Sequence, residues 1–480
     1  MDDLGDRLVE PAIALAREWL HAAERSARPA ERREATRLRA LAADAEALTF
    51  ARGFFDRVLR PESDRVAAEA LRDVARRPLP AFLSPVDRAL LRLGAAIAPA
   101  LPTVVLPLAR RRLRGLIGGL VVDRAEPALT EAIGALAAEG FDVNLNLLGE
   151  LVLGEEEAAR RRAATLALLS RRDVRAVSVK LSAIASQRSL WSWDATLARV
   201  AEPLGAILRA AAACRPPPLV NLDMEDYEDL HLTLDAFVRL LDEPDLQALE
   251  AGIVLQAYLP DSFDALRSVA AWAARRRARG GAAIRVRLVK GANLAMERVE
   301  AELRGLPQAP YRTKGETDAS YKRLVDWALD PSRTEAMRVG VASHNVFDVA
   351  WARLLAEARG VSGRVELEML KGMAPGVART VRGAAGSLLL YTPVVEAADF
   401  ASALAYLFRR FEENASGENF LRHLWDLARD EAAFAAEAAR FAKAVAGRTH
   451  VSTTARRRAP RGAPPVAFAN APESDPTDPD

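Results

Sequence analysis

From the N-terminus, apolar residues recur every three or four positions. In "LVEPAIALAREWLHAAE" they fall on one side of a helical wheel, and Ala/Leu/Arg segments of the same period continue to "EPALTEAIGALAAEGF". That spacing predicts amphipathic helices only, from residue 1 to about 135, with "EG" ending the last of them. The period then changes. Eight short apolar or β-branched runs follow: "FDVNLNLLGE" (141–150), "VRAVSVKLSA", "PLVNLDMEDY", "AGIVLQAYLP", "AIRVRLVKGA", "RVGVASHNVF", "RVELEMLKGM" and "SLLLYTPVVE" (387–396). Helical stretches separate them, at spacings of roughly 25 to 50 residues that suit a strand plus a crossover helix. Eight such repeats predict an α/β chain with a closed (β/α)8 TIM-like barrel over 136–448, preceded by an α-helical N-terminal arm over 1–135. An open doubly wound sheet is the alternative topology. It would normally carry a glycine-rich first turn, and neither G-x-G-x-x-G nor G-x-x-x-x-G-K-[ST] occurs. After Gly447 the periodicity dissolves into "RTHVSTTARRRAPRGAPPVAFANAPESDPTDPD", so 449–480 are expected to form a flexible tail or linker.

Composition narrows the function classes. The 480 residues hold Lys+Arg 67 against Asp+Glu 65, a formal charge of +2, which argues against a general nucleic-acid binder. The single cysteine, Cys214, cannot form an internal disulfide and excludes cysteine-rich zinc sites, so a reducing cytoplasm is the expected location. The start, "MDDLGDRLVE", is acidic where a signal peptide would be basic. The longest apolar run, Leu93 to Ala109, contains three prolines and falls short of the ~20 residues that span a bilayer. A buried, kinked helix is expected there, with a surface-lying segment as the alternative.

Chemistry gathers at the strand ends. Glu150, Lys180, Asp223, Gln256, Lys290, His344, Lys371 and Tyr391 each close one of the eight runs, and barrel active sites lie at that face. Arg287 and Glu225 lie close by, and "AYLFRRFEEN" adds Arg409 and Arg410 between Phe408 and Phe411. Each residue alone has a structural explanation. Lys180 could snorkel, Asp223 and Glu225 could cap a helix, and Arg409 could pair with Glu413 at i,i+4. Eight polar strand ends together argue for a site. The surplus of cations suits an anionic ligand, either a phosphate-bearing cofactor or a carboxylate substrate, which arginine grips bidentately. With five histidines and no H-x-x-x-H spacing no metal site is expected, and no G-x-S-x-G elbow signals a hydrolase.

"VSVKLSA", "NLDMEDYEDL", "GIVLQAY", "IRVRLVKGA", "TDASY", "SHN", "EMLKGM", "LYTPV" and "AYLFRRFEEN" occur in order between about residues 115 and 445. Their combination resembles the proline dehydrogenase family, in particular the proline dehydrogenase half of bifunctional bacterial proline-utilisation enzymes. The resemblance implies FAD, expected to be noncovalent because no cysteine or histidine stands at a plausible attachment point, and oxidation of L-proline to Δ1-pyrroline-5-carboxylate, the first step of proline catabolism to glutamate. Hydride would pass to flavin N5 and electrons to a membrane quinone. It implies that Arg409, Arg410 and Lys180 grip the proline carboxylate, with Glu150 pairing one arginine. Asp223 and Tyr391 match a hydrogen-bonded pair lining the pocket, and Tyr406 packs on the substrate ring. Toward the flavin, Arg287 matches the arginine near N5 and Gln256 the group at the pyrimidine edge. Val289, Lys290, Gly291 and Ala292 run along the cofactor, Ser343 and His344 lie near its ribitol and phosphates, and Glu413 at the adenosine end. Implied partners are the quinone and an aldehyde dehydrogenase domain or separate protein; the implied location is cytoplasmic, peripheral at the inner membrane face. Two departures stand out: Asn293 replaces an aromatic, and Arg312 and Thr313 shift the pattern in "YRTKGETD". Retention of Tyr391 points to unsubstituted proline over hydroxyproline. The alternative is a catalytically silent barrel scaffold docking a partner, which retention of Lys180, Arg409 and Arg410 speaks against.

Overall fold

Between Val9 and Ser26 the buried positions are Ala12, Ala16, Trp19, Leu20 and Ala23, a stripe with helical spacing. The computed structural model describes residues 3–43, 45–61, 63–80, 83–117, 120–149, 152–396, 420–457 and 475–477. Its N-terminal region continues with further helices, among them Asp64–Ala75, Pro85–Ile97 and Pro102–Ile117. Ser63 and Ser84 cap the first two of these by accepting from the N–H groups of Val66 and Asp87. A small core of Val58, Ala67, Leu71, Val74, Ala95 and Leu106 packs these helices together, separate from the main core.

The apolar run Leu93–Ala109 differs from expectation. Instead of one buried, kinked helix it belongs to two helices broken between Ala98 and Leu101. Pro99 lacks a donor, and Pro102 disfavours helical geometry in the residue before it. One side of the pair turns inward, at Ala95, Ala98 and Leu106, while Leu93, Leu101, Val104 and Leu108 are left more than half exposed. A second difference is β1 (Val122–Asp123), inside the region expected to be all helix. Its two residues only lengthen the sheet beside Val394 and Val395, too short for any period to be read.

The barrel consists of β2 (Asp142–Leu147), β3 (Ala176–Lys180), β4 (Leu219–Asp223), β5 (Ala251–Gln256), β6 (Ile284–Val289), β7 (Met337–Ala342), β8 (Val365–Leu370) and β9 (Leu389–Val395). All pair in parallel in this order, and β9 pairs with both β8 (Glu368↔Leu389) and β2 (Asp142↔Leu389), which closes the cylinder. These are the eight runs picked out by the sequence pattern. β3, β4 and β5 are buried throughout, as strands covered by helices outside and by one another inside must be. Helices such as Glu155–Leu169, Trp193–Ala213, Ser262–Ala278 and Val346–Ala358 form the outer ring.

Val9–Ser26 lies against Val346–Ala358 and Pro375–Ala385. Trp351 donates its indole N–H to the Gly5 carbonyl at 2.9 Å. Arg448, buried at the end of Glu431–Gly447, donates to Asp326 at 2.8 Å and to Asp6 at 2.7 Å, so one guanidinium joins the chain's beginning to the barrel. Residues beyond it stay on the barrel where a free tail was expected. Tyr311 donates to the Ser452 carbonyl, Arg456 to Pro310, and Arg457 to Pro307 at 3.1 Å. Hydrogen bonds hold this strap where apolar bulk is scarce.

Replacing Arg448 by Met should destabilise the fold by about 3 kcal/mol, the low end for breaking a buried ion pair, because Arg359 still pairs with Asp326 at 2.6 Å. Urea unfolding of parent and variant checks this; equal midpoints would show that the tie carries no stability.

Candidate active site

Barrel closure sets unlike strand ends side by side. Lys180, the last residue of β3, lies opposite Asp223, the last of β4, and Leu370 at the end of β8 lies opposite Tyr391. Arg287, on β6, touches side chains from four other strands, which only a lumen-facing residue can do. Its Nη1 donates to Asp223 Oδ1 at 3.1 Å and Ser178 Oγ at 3.2 Å, and its Nε to Glu368 Oε2 at 2.5 Å. The Tyr391 hydroxyl donates to Asp223 Oδ2 at 2.9 Å, and its ring centre lies 5.3 Å from the guanidinium carbon. Asn221 donates to Asp223 Oδ1 at 2.8 Å. Arg287 is only 3% exposed. Burial would lower its pKa, but Glu368 and then Asp223 outweigh burial and raise it, so the cation persists. Among the described residues its Nη2 has no partner.

Lys180 pairs with Glu225, on the loop after β4, at 2.7 Å. The backbone carbonyl of Glu225 also accepts from Gln256 Nε2 at 3.2 Å and from the Tyr258 hydroxyl at 3.3 Å. Lys180 and Gln256 therefore meet through one loop residue. Asn293 donates to Asp226 on the same loop and leads into Leu294–Arg304, so a polar contact stands where an aromatic was expected in relatives. Thr313 forms a capping box with Glu316 and starts Lys314–Ala328, which gives it a structural task of its own.

Val289, the last residue of β6, and Ala292 beyond it are half-buried. Gly291 takes a φ of 109°, and a Cβ there would fall 2.5 Å from the Tyr258 ring, so both conformation and space require glycine. Lys290 turns to protein partners. Its Nζ pairs with Asp318 at 2.6 Å and Asp348 at 2.8 Å, while Lys314 and Lys322 bond the same two carboxylates. Burial would lower the Lys290 pKa, but Asp318 and Asp348 raise it well above normal. Burial would raise Asp318, yet Lys290 and then Lys314 hold it well below the usual carboxylate range. Ser343 joins this knot by donating to Asp348 at 3.3 Å. His344 Nε2 accepts from the Leu370 N–H at 3.0 Å, and burial pushes its pKa down to about 4. The ring is neutral at pH 7, so Nδ1 carries the proton, and among the described residues it too has no partner.

Two buried donors thus await acceptors, Arg287 Nη2 and His344 Nδ1, at the ends of β6 and β7. A buried donor left unsatisfied costs about 1–3 kcal/mol, a cost removed by a ligand rich in acceptor atoms. These features fit a phosphate- and carbonyl-bearing cofactor. Among the described residues no three His, Cys, Asp or Glu side chains gather as a metal would need. Glu150, Tyr406, Arg409, Arg410 and Glu413 lie outside the described residues. Sequence reasoning missed Ser178, Asn221, Asp318, Asp348 and Glu368. Only Glu368 had a legible signal: "VELEML" places two carboxylates on one face of an otherwise apolar strand.

The proline dehydrogenase family model matches residues 129–423. The bifunctional protein PutA of Klebsiella aerogenes is 31% identical over 263 residues, 52% of this chain and 19% of that protein. The proline dehydrogenase of Deinococcus radiodurans is 25% identical over 325 residues, 65% of this chain and 91% of that protein. Among solved structures, proline utilization A (PutA) from Corynebacterium freiburgense shares 44% identity with a TM-score of 0.68, covering 82% of this chain and 38% of that one. The chain thus spans about a fifth of the length of the bifunctional relative from Klebsiella.

Folded His344 refuses a proton that the unfolded chain takes up below about pH 6.5. Its contribution is complete above that pH and drains away as pH falls toward 4. By pH 4.5 the parent should lose about 2–3 kcal/mol relative to His344→Gln, which still accepts from Leu370. The difference between the two proteins matters because Glu297, whose pKa burial raises to about 7, acts in the opposite direction in both. Urea unfolding at pH 7 and 4.5 measures it; parallel losses would mean that His344 is not held neutral.

Proposed function

The chain belongs to the proline dehydrogenase family, and from that membership we propose that it oxidises L-proline to Δ1-pyrroline-5-carboxylate, with bound FAD as oxidant and a quinone as final acceptor. The observation that carries this reading is the linked group Asp223, Arg287 and Tyr391 beside Lys180, at one end of the lumen. Oxidation removes two electrons and a C–H hydrogen from proline and releases the amine proton. FAD, when bound, supplies the two-electron acceptor.

This chain's residues bind and orient. Lys180 offers a cation to the substrate carboxylate by exchanging Glu225 for it, with Arg409 and Arg410 as companions and Glu150 pairing one of them. Three cations on a small zwitterion fix its orientation, which lowers the entropic part of the barrier. Asp223 and Tyr391 bound the pocket, and the tyrosine hydroxyl disfavours a hydroxylated ring; Tyr406 packs on the ring. Toward the flavin, Arg287 offers Nη2 and Gln256 meets the pyrimidine edge. The backbone of Val289–Ala292 runs beside it, Lys290 being otherwise engaged. Ser343 and the Nδ1–H of His344 serve ribitol and phosphates, and Glu413 the adenosine end. The division into arm (1–135), barrel (136–448) and tail (449–480) goes with this reading. The tail leads toward an aldehyde dehydrogenase domain or partner that consumes the product.

For the quinone, the helices Pro85–Ile97 and Pro102–Ile117 support contact with the cytoplasmic face of a membrane. Val86, Leu90, Leu93, Leu101, Val104 and Leu108 are each at least half exposed. Residues 83–117 hold six arginines against one acid, Asp87, which is itself paired with Arg112. An apolar face flanked by arginine is the composition of an interfacial helix. Among the described residues no helix is long and apolar enough to cross a membrane, so the contact is peripheral.

The purified protein should be yellow and bleach on adding proline. Lys180→Met and Arg410→Met should each weaken proline binding by about one to two orders of magnitude, the value of a charge-assisted hydrogen bond, with flavin content unchanged. A colourless parent, or one that proline does not bleach, refutes the reading; unaltered affinity in both variants refutes the carboxylate grip.

Phosphatidylglycerol-containing vesicles should sediment the parent but not a Leu90→Glu, Leu93→Glu double variant, with proline oxidation by a water-soluble dye equal in both. Equal sedimentation would remove this face from the membrane contact.

A further inference from the structure

We propose that Glu368 is a positioning residue for Arg287, fixing the direction of its free nitrogen and the positive charge it presents to a bound flavin. The inference rests on the reading that FAD lies beside Arg287.

Glu368 is on β8, two strands from Arg287, and only 1% exposed. Its carboxylate reaches β6 by crossing the bare backbone of Gly340 on the intervening strand. A Cβ at Gly340 would fall 2.2 Å from Glu368 Oε1 and 3.4 Å from the Arg287 Cα, so this glycine keeps the passage open. Oε2 then takes Arg287 Nε at 2.5 Å, while Asp223 and Ser178 take Nη1 from the other side. A planar guanidinium held at Nε and Nη1 has no rotation left. Nη2 alone remains for a ligand, and its direction follows from the two grips.

The charge balance points the same way. One carboxylate neutralises one guanidinium, and Asp223 already does so. A second buried carboxylate adds desolvation cost and leaves the trio with a net negative charge. Packing does not call for this, since a carboxamide has the same shape. Glu366 and Arg285 form a similar pair two residues earlier on the same strands, so each layer of the β6–β8 ladder has a carboxylate of its own. The added negative charge beside Arg287 makes a neighbouring ring harder to reduce, and Glu368 thereby sets how strongly oxidising the flavin is.

The test uses the flavin-loaded protein and sulfite, which adds reversibly to oxidised flavin as an anion and bleaches it. Glu368→Gln keeps the volume and an acceptor for Nε but removes the charge. Sulfite should bind roughly tenfold tighter, as expected for one unit charge at close range in a protein interior, and the flavin reduction potential should move positive. Proline KM should change little, because the carboxylate grip is elsewhere. Sulfite affinity and potential equal to the parent's, in a folded and flavin-loaded variant, overturn the proposal; so does a lowered urea midpoint with unmoved sulfite affinity, the mark of a purely structural carboxylate. If Glu368→Gln fails to fold or to hold flavin, Glu368→Asp decides. It keeps the charge but withdraws it from Nε by one methylene, so sulfite should bind tighter by a smaller factor, and unchanged affinity there overturns the proposal. A parent protein without flavin instead refutes the reading beneath it.

Discussion

Arg287 carries its charge into the lumen of a closed barrel, where an isolated cation would cost more than any single contact could return. Much of the interior near it can be understood as an answer to that cost. Barrel lumens are usually filled by branched apolar side chains, but here Ser178, Asp223, Glu368 and Tyr391 converge on one guanidinium. The neighbouring strands make room. Gly340 lies under Glu368, and at Gly252 a Cβ would strike Asn221 at 2.3 Å, the residue that steadies Asp223. Two glycines are therefore spacers for polar side chains rather than hinges. Five strands must be in register for this arrangement to exist, so barrel closure and site assembly are one event.

A second ionic knot holds the neighbouring sector. Lys290 ends the run of β6, Asp318 belongs to Lys314–Ala328 and Asp348 to Val346–Ala358, so the knot fastens one strand to two outer helices. Lys322 shares Asp348 with Lys290, yet their pKa values move apart: burial prevails at Lys322 and lowers it, while the two carboxylates prevail at Lys290. Ser343 hangs from this knot through Asp348, and His344 follows it in the chain. The polar residues past β7 are thus positioned by charges in the helical layer, not by the strand alone.

This division explains how much could be read beforehand. The eight strands were legible because each is a buried run bounded by turns and followed by a helix of the other period. Lys180, Asp223 and Gln256 were legible because they end such runs, whereas Tyr391, read as a strand end, is the third residue of β9. Glu368 was passed over because it lies two residues before the strand's end, and polar residues inside a strand read as outward-facing. Asp348 sits in the first turn of its helix, where acids usually serve as caps, and Asp318 in the second turn of its own, so nothing local marked either as a partner of Lys290. The ion pairs of Lys290 stayed hidden for the same reason: a strand-end lysine looks free until the helix opposite is known. At Leu93–Ala109, hydrophobicity alone suggested burial, but only the side carrying Ala95, Ala98 and Leu106 found a surface to cover.

Lys180 shows how the resting site meets the problem that Arg287 meets permanently. A lysine poised for an anionic substrate would be a buried, unpaired cation between turnovers. Glu225 removes that penalty by pairing with it at 2.7 Å. On the proposed grip, substrate binding is an exchange of one carboxylate for another, in which the desolvation of Lys180 has already been met and only Glu225 needs a new environment. Glu225 is only partly buried, its side chain about one-third exposed, so its carboxylate can turn toward solvent at modest cost. Its backbone carbonyl, held by Gln256 and Tyr258, keeps the loop in place during the exchange. The carboxylate can move while the residue stays anchored, and Lys180 and Gln256 remain in register, whichever anion the lysine holds.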